Sequence, residues 1–405
     1  MKVAAIISEY NPFHKGHQYQ VDQIREILGE DTAVIAIMSG NYTQRGEIAI
    51  CDKTIRAKSA VECGVNLVLE LPFPFSMSSA EFFARSGVKI AGSICVVDYL
   101  VFGSEIGDIS QLSDIAEITL SSEYQLMMDT FIEDPAYKEY GYPELCELAL
   151  SRLLGKDIPE GFFSPNNILA IEYIKAIKAD GYAIKPLTIK REGAGYLEII
   201  NPMSDFQSAS AIRDELRSEN ISALDYVPEN ARKVYLEAIK NGKMPSDSSR
   251  LDSAVISYFR LNSPVADYDI HDAAGGLYNR ICNMSAEAYS ISTLTALSET
   301  KKYTKARIRR AIWNSYFGVT SSEVRMLPAY TQVLAMDDIG RSLLKRIKKE
   351  SEFPVLSTPS AYKQLDEDVI AQKELSNKAD SIFGLSLKNA NPGYFPLSFS
   401  PYVKS

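Results

Sequence analysis

Histidine is scarce in this chain: 405 residues hold three. Tryptophan occurs once. Cysteine occurs five times, at 51, 63, 95, 146 and 282, with no Cys-x-x-Cys pair and no histidine at ligand spacing. A zinc site or disulfide framework is therefore not expected, and reduced thiols suit a cytoplasmic protein. No run approaches 18 uninterrupted apolar residues, so no membrane span is expected. The short apolar run Val3–Ile7 before Ser8 and Glu9 is too brief for a signal peptide. Basic residues are missing from a whole stretch: Ile90 to Tyr137 carries nine acidic residues and no lysine or arginine. No stable protein partner is signalled.

What is present is concentrated. Two of the three histidines fall in Asn11-Pro12-Phe13-His14-Lys15-Gly16-His17, after the apolar run and before a polar helical stretch reaching Leu28. A helix that starts there offers unpaired backbone N–H groups and a positive dipole end, which suit phosphates. Histidines three apart share one helical face, so both imidazoles can address the same phosphoryl oxygens. Gly16 leaves room for a base or ribose against the backbone. A bare His-x-x-His reads more often as a turn with solvent-facing histidines, but strand, turn, glycine and helix together favour a nucleotide site.

Charge tells a similar story. The 43 basic and 52 acidic residues sum to −9, which taken alone argues against a nucleic-acid partner. Yet Lys301, Lys302, Lys305, Arg307, Arg309 and Arg310 fall within ten residues containing no acid. Arg341, Lys345, Arg346, Lys348 and Lys349 form a second cluster. Each cluster alone could be a solvated helix face. Two clusters, with Tyr303 and Trp313 interleaved as stacking groups, favour RNA.

Hydrophobic periodicity predicts the frame. Short apolar runs at Val3–Ser8, Ala33–Met38, Val65–Leu69 and Val97–Phe102 read as buried parallel strands, with Tyr182–Ile189 as a further one. Helical patterns at about 16–28, 51–63, 78–92 and 108–118 alternate with them, followed by others near 123–132, 143–154 and 166–179. The expected fold is α/β: a doubly wound parallel sheet over residues 1–216, followed by a mainly α-helical domain over 217–405. In that second part helices are expected near 229–241, 248–260, 285–299 and 304–316. Met326–Leu334 and Phe353–Leu356 are candidate strands, and Asn389–Ser405 reads as a loop-like tail.

Ligands of open parallel sheets bind beyond the carboxyl ends of the strands. The polar clusters all fall there: the histidine turn, Ser39–Glu47 with Asn41, Gln44 and Arg45, then Glu70-Leu71-Pro72, Gly103-Ser104-Glu105 and Lys190-Arg191. Ser208-Ala209-Ser210-Ala211-Ile212-Arg213 opens a helix with hydroxyls and a guanidinium suited to phosphate. Ser164-Pro165-Asn166-Asn167 is a second helix start, where the asparagines either cap the turn or touch a nucleotide.

Together these segments resemble the HIGH-type nucleotidyltransferase superfamily and, more narrowly, the bacterial tRNA(Met) cytidine acetate ligase family. The histidine turn is widely shared, whereas Gly40-Asn41-Tyr42-Thr43-Gln44-Arg45-Gly46-Glu47 and Ser164-Pro165-Asn166-Asn167 are more specific. The resemblance spans most of the first 215 residues and is one of general character beyond them. It implies ATP-dependent activation of acetate as acetyl-adenylate, then acetylation of N4 of the wobble cytidine of elongator tRNA(Met). His14, His17 and Arg213 would be catalytic. Ile7, Ser8, Glu9, Tyr10, Asn11, Pro12, Phe13, Lys15, Gly16, Gln20, Gly103, Asn167, Arg191, Ser208 and Ser210 would join the histidines in binding ATP. Asn41, Gln44 and Arg45 would face acetate or tRNA, Arg45 pairing with a carboxylate in bidentate fashion. The six basic residues at 301–310 would face tRNA. Mg2+ is expected on the phosphates, with no acidic cluster marking its site. A nucleotidyltransferase making a small cofactor, or a catalytically silent RNA-binding module, stays open. Acetate-dependent ATP–pyrophosphate exchange discriminates the three.

Overall fold

Valine, isoleucine and alanine runs become parallel strands here because helices cover both of their faces. The computed structural model describes residues 1–137, 139–158, 162–191, 207–262, 269–358, 361, 365–389 and 400–404. Five strands, β1 (Val3–Ser8), β2 (Ala33–Ser39), β3 (Leu67–Leu71), β4 (Tyr99–Ser104) and β5 (Lys185–Lys190), lie in the order β5-β4-β1-β2-β3 and all run parallel. Their connections hold helices α1 (Lys15–Leu28), α2 (Lys53–Glu62), α3 (Ala80–Ser93), α4 (Ile109–Leu120), α5 (Ser122–Glu133), α6 (Tyr142–Leu154) and α7 (Pro165–Ala179).

Side-chain alternation divides the core in two. Val3, Ala5, Ile35, Ile37, Leu67 and Leu69 pack with α3, α4 and α7 on one face. Ala4, Ile6, Val34, Ala36 and Val68 pack with α1 and α2 on the other. Because β3 lies to one side of β1 and β4 to the other, the chain reverses direction between β1 and β4. That is where a crevice opens at the strands' carboxyl ends.

The second half continues with α8 (Ala209–Arg217), α9 (Glu229–Lys240), α10 (Asp252–Leu261), α11 (Leu277–Met284), α12 (Ile291–Ser298), α13 (Lys305–Phe317) and α14 (Ser321–Arg325). Then come β6 (Thr331–Met336), α15 (Asp338–Glu350), β7 (Val355–Leu356), α16 (Glu367–Gly384) and β8 (Tyr402–Val403). Helices α10 to α13 and α16 share a third apolar cluster, which reaches Tyr42, Phe73 and Met77 of the first half.

Strand β6 returns to the sheet, antiparallel to β3, and carries β7 and β8 beside it. The anticipated strand at 326–334 therefore sits later, and part of the supposed loop-like tail is a short strand. The helix expected at 285–299 begins only at Ile291, where Ser290 and Thr293 form the capping box that starts α12. Helices α11, α15 and α16 were not apparent from periodicity. Among the described residues no helix is long and apolar enough to cross a membrane.

Candidate active site

The histidine turn is built by capping. His14 is the N-cap of α1, and its Nδ1 accepts the Gly16 N–H at 3.0 Å. In return the His14 N–H donates to His17 Nδ1 at 3.2 Å, so two backbone donors at the helix start are satisfied by imidazoles. The two rings meet at a tilt of 31°, 3.9 Å between centroids, and His17 packs against Tyr10 and Phe13. Tyr10 has φ 44°, a left-handed conformation that a tyrosine rarely adopts and that turns the chain sharply after β1.

The reciprocal bonds decide the tautomer. With both Nδ1 atoms accepting, the proton of each neutral imidazole sits on Nε2, where it can be donated to a ligand. Burial lowers the His14 imidazole from its ordinary 6.5 to about 3, assisted by the Arg191 and Arg213 charges. Burial, then His14 and Arg191, hold His17 well below the usual range. Both histidines are therefore neutral donors at physiological pH.

Support for the turn comes from distant residues. The Phe13 N–H donates to the Tyr235 hydroxyl of α9, which also bonds Ser59 of α2. Arg56, fully buried, donates to the carbonyls of Glu9, Gly40 and Cys51 and so ties the ends of β1 and β2 together. Lys53 is equally buried, bonding Glu70 at 2.5 Å and Asp380 of α16 at 2.6 Å.

Arg213 sits one turn into α8. Its Nη1 donates to the Asn11 carbonyl at 2.9 Å and its Nη2 reaches Ser210 Oγ at 3.2 Å, while Ser208 caps α8. Arg191 lies across Gly103: a Cβ added there would stand 3.2 Å from Arg191 Cγ. Gln20 Nε2 approaches the Val101 carbonyl at 3.5 Å, and Lys15 is half-buried in the first turn of α1.

A cavity of about 560 Å³ opens at this place, a size that suits a nucleotide. Its wall includes Ile7, Ser8, Glu9, Tyr10, Asn11 and His17 from β1 and its turn. Gln44 and Arg45 come from the loop after β2, Asn166 and Tyr173 from α7, Ala209 from α8, and Thr304, Ala306 and Arg310 from the start of α13. Residues from both halves of the chain thus share one pocket.

Several expected roles change. Asn167 is buried, 1% exposed; its Oδ1 accepts the Glu105 and Ile106 N–H groups and its Nδ2 donates to the Phe162 carbonyl. It holds the end of β4 in shape, and its neighbour Asn166 faces the cavity. Glu105 accepts from Ser164, Asn166 and the Asn167 N–H, so a carboxylate of the protein already occupies the start of α7. Asn41 is also spent internally, accepting from the Lys53 N–H and donating to Asp380. The Asn11 side chain accepts the Ile50 N–H.

The basic run at 301–310 divides similarly. Arg310 clamps Asp272 at 2.7 and 3.2 Å, and Arg307 donates to the Asp272 and Ala274 carbonyls. Arg309 reaches Glu47 at 2.6 Å, and Glu47 also accepts from Arg213 at 3.3 Å. Glu47, unassigned from sequence, thus joins Arg213 to α13. A Cβ on Gly46 would meet the α13 backbone at 2.6 Å, so the loop lies directly on that helix. Trp313 and Tyr303 are not stacking platforms, since both are buried in the third apolar cluster. Lys301, Lys302 and Lys305 stay outward at the surface, where they meet Glu139, the Gly275 carbonyl and Glu299. The cluster at 341–349 lies on α15, whose Gly340 abuts Asn66 at the amino end of β3, opposite the cavity.

Comparison with known proteins agrees with this geometry. The model of the HIGH Nucleotidyl Transferase family matches residues 1–393. The chain is similar to the tRNA(Met) cytidine acetate ligase of Acetivibrio thermocellus, 35% identical over 402 residues and 96% of each chain. It is 33% identical to that of Clostridium botulinum over 414 residues, 98% of this chain and 97% of the other. Among solved structures, Thermotoga maritima TmcAL bound with alpha-thio ATP superposes with a TM-score of 0.90 at 31% identity, covering 100% of this chain and 99% of the other. The apo form of that protein gives 0.90 at 30% identity, with the same coverage.

Proposed function

Since this chain belongs to the HIGH nucleotidyl transferase family, and within it with the tRNA(Met) cytidine acetate ligases, we propose that it activates acetate with ATP and acetylates tRNA. In the first step an acetate oxygen attacks the α-phosphorus, and acetyl-adenylate forms as pyrophosphate leaves. In the second, N4 of the wobble cytidine of elongator tRNA(Met) takes the acetyl group, giving N4-acetylcytidine and AMP.

The observation that carries this reading is the neutral histidine pair at the start of α1, with His17 on the wall of a cavity that α13 also lines. Phosphoryl transfer needs positioned donors more than covalent chemistry. Two Nε2–H groups, the α1 amino end and Arg213 would bear the charge that grows on the phosphates. Ser208, Ser210 and the α8 start would hold the leaving pyrophosphate, with Asn166 and Arg191 against the nucleotide. Arg45, on the cavity wall, suits the acetate carboxylate. Lys301, Lys302 and Lys305, outward-facing at the approach to α13, suit an RNA backbone. Among the described residues no group of three or more His, Cys, Asp or Glu gathers to hold a metal. Mg2+ would therefore travel with ATP, held by phosphate oxygens and water.

The experiment has two readouts: ATP–pyrophosphate exchange with and without acetate, and mass analysis of tRNA(Met) nucleosides after incubation with both substrates. Acetate-dependent exchange with N4-acetylcytidine at the wobble position is the expected result. Exchange driven by a phosphate ester, or none, overturns it.

A further inference from the structure

The second half-reaction needs a proton acceptor. The exocyclic amine of cytosine is conjugated with its ring and only weakly nucleophilic, and its nitrogen must shed a proton as the amide forms. His14 and His17 cannot take it, because each Nδ1 already accepts a backbone N–H and each Nε2 carries the proton. The carboxylates nearby are also committed. Glu47 is held by Arg213 and Arg309, Glu105 by Ser164 and the α7 start, and Asp272 by Arg310.

Glu9 is different. It is the one carboxylate on the cavity wall among the described residues, and it directly follows Ser8, the last residue of the strand that leads into the histidine turn. Its Oε1 accepts the Gln44 N–H at 2.9 Å, which pins the carboxylate to the loop after β2. Its other oxygen has no donor among the described residues. The main chain is equally fixed, since the Glu9 carbonyl accepts from buried Arg56 at 2.6 Å. Tyr173, also on the cavity wall, has its hydroxyl held protonated by burial and by the Glu9 charge.

We propose that Glu9 is the general base of acetyl transfer. The cytidine N4 lone pair attacks the carbonyl carbon of acetyl-adenylate and a C–N bond forms. The N4 proton passes to the free Glu9 oxygen, and the acyl C–O bond to phosphate breaks, releasing AMP. A carboxylate also suits recognition, because cytosine presents its N4 amine as a donor where uracil presents an acceptor. Proton transfer by a positioned group contributes about 10²–10⁴-fold in rate.

This inference rests on the acetate-ligase reading, so the two steps are assayed separately on the full chain. Hydroxylamine traps acetyl-adenylate as acetohydroxamate and reports the first step. Single-turnover acetylation of unmodified tRNA(Met) reports the second, and a filter-binding titration gives the tRNA Kd. Glu9→Gln keeps an acceptor for the Gln44 N–H and loses the base. It should slow acetylation by about 10²–10³-fold beyond any loss of hydroxamate formation, with tRNA Kd within threefold. Glu9→Asp, a retracted base, should recover part of the transfer rate, and it carries the test if the glutamine variant does not fold. Transfer by Glu9→Gln within threefold of wild type overturns the assignment. So does an equal loss of hydroxamate, which would place Glu9 on ATP or its metal, or a Kd weakened as far as transfer is slowed. A wild-type protein that makes no hydroxamate from acetate instead sinks the ligase reading itself.

Discussion

His14→Asn is the substitution that separates the structural from the chemical work of the histidine turn. His14 does two things: its Nδ1 caps α1 through the Gly16 N–H, and its Nε2–H is left to donate to a ligand. Alanine removes both and should cost about 0.5–2 kcal/mol for the missing cap. Asparagine is a good N-cap and should restore that stability while still lacking the Nε2 donor. In acetate-dependent ATP–pyrophosphate exchange both variants should fall about 10²–10³-fold, the scale of one preorganised donor. Urea denaturation of the same proteins adds a second measure. The folded imidazole lies near 3, below its ordinary 6.5. The unfolded chain therefore binds a proton first on acidification, and stability present above pH 6.5 drains away as pH falls toward 3. Wild type should lose up to about 1.4 kcal/mol per pH unit more than His14→Asn between about pH 6 and 4.5. Near-normal exchange in His14→Asn would refute the donor role and leave His14 as a cap. Parallel pH slopes would refute its neutral state.

Three further outcomes follow from the same geometry. Arg45→Lys should raise the acetate concentration needed for half-maximal exchange about tenfold, since a bidentate charged interaction of about 1.5–3 kcal/mol is weakened; an unchanged requirement removes Arg45 from the acid site. Replacing Lys301, Lys302 and Lys305 with glutamine should reduce the slope of log tRNA affinity against log salt by about 0.7–0.9 for each phosphate that no longer meets a lysine, measured by titration from about 50 to 200 mM salt; an unchanged slope makes the lysines a solvated face. Lys53→Met leaves Glu70 and Asp380 buried together without their cation, and should destabilise the protein by about 3–5 kcal/mol in chemical denaturation; a destabilisation below about 1 kcal/mol, roughly that of a surface pair, would show that the carboxylates take up protons instead.

The parallel sheet and the histidine turn were legible in the chain itself. Buried parallel strands need continuous apolar runs, and a capped helix start needs its capping residues within three positions, so both are written in local order. Arg213 and Ser208 were legible for the same reason, as a helix start with its own cap. What depended on distant partners was not. Nothing near Asn167 in sequence tells that Glu105 would fill the start of α7, or that Asn41 would serve Lys53 and Asp380 rather than a ligand. Basic spacing in 301–310 could not separate Arg309 and Arg310, which bind Glu47 and Asp272, from the lysines left facing solvent. Trp313 and Tyr303 looked available until an apolar cluster drawn from both halves enclosed them. Strand β6 reaches β3 from more than 250 residues away, and no local pattern records which edge a late strand will join. Charge and hydropathy mark what a residue can do; only the fold decides which of its atoms are already taken.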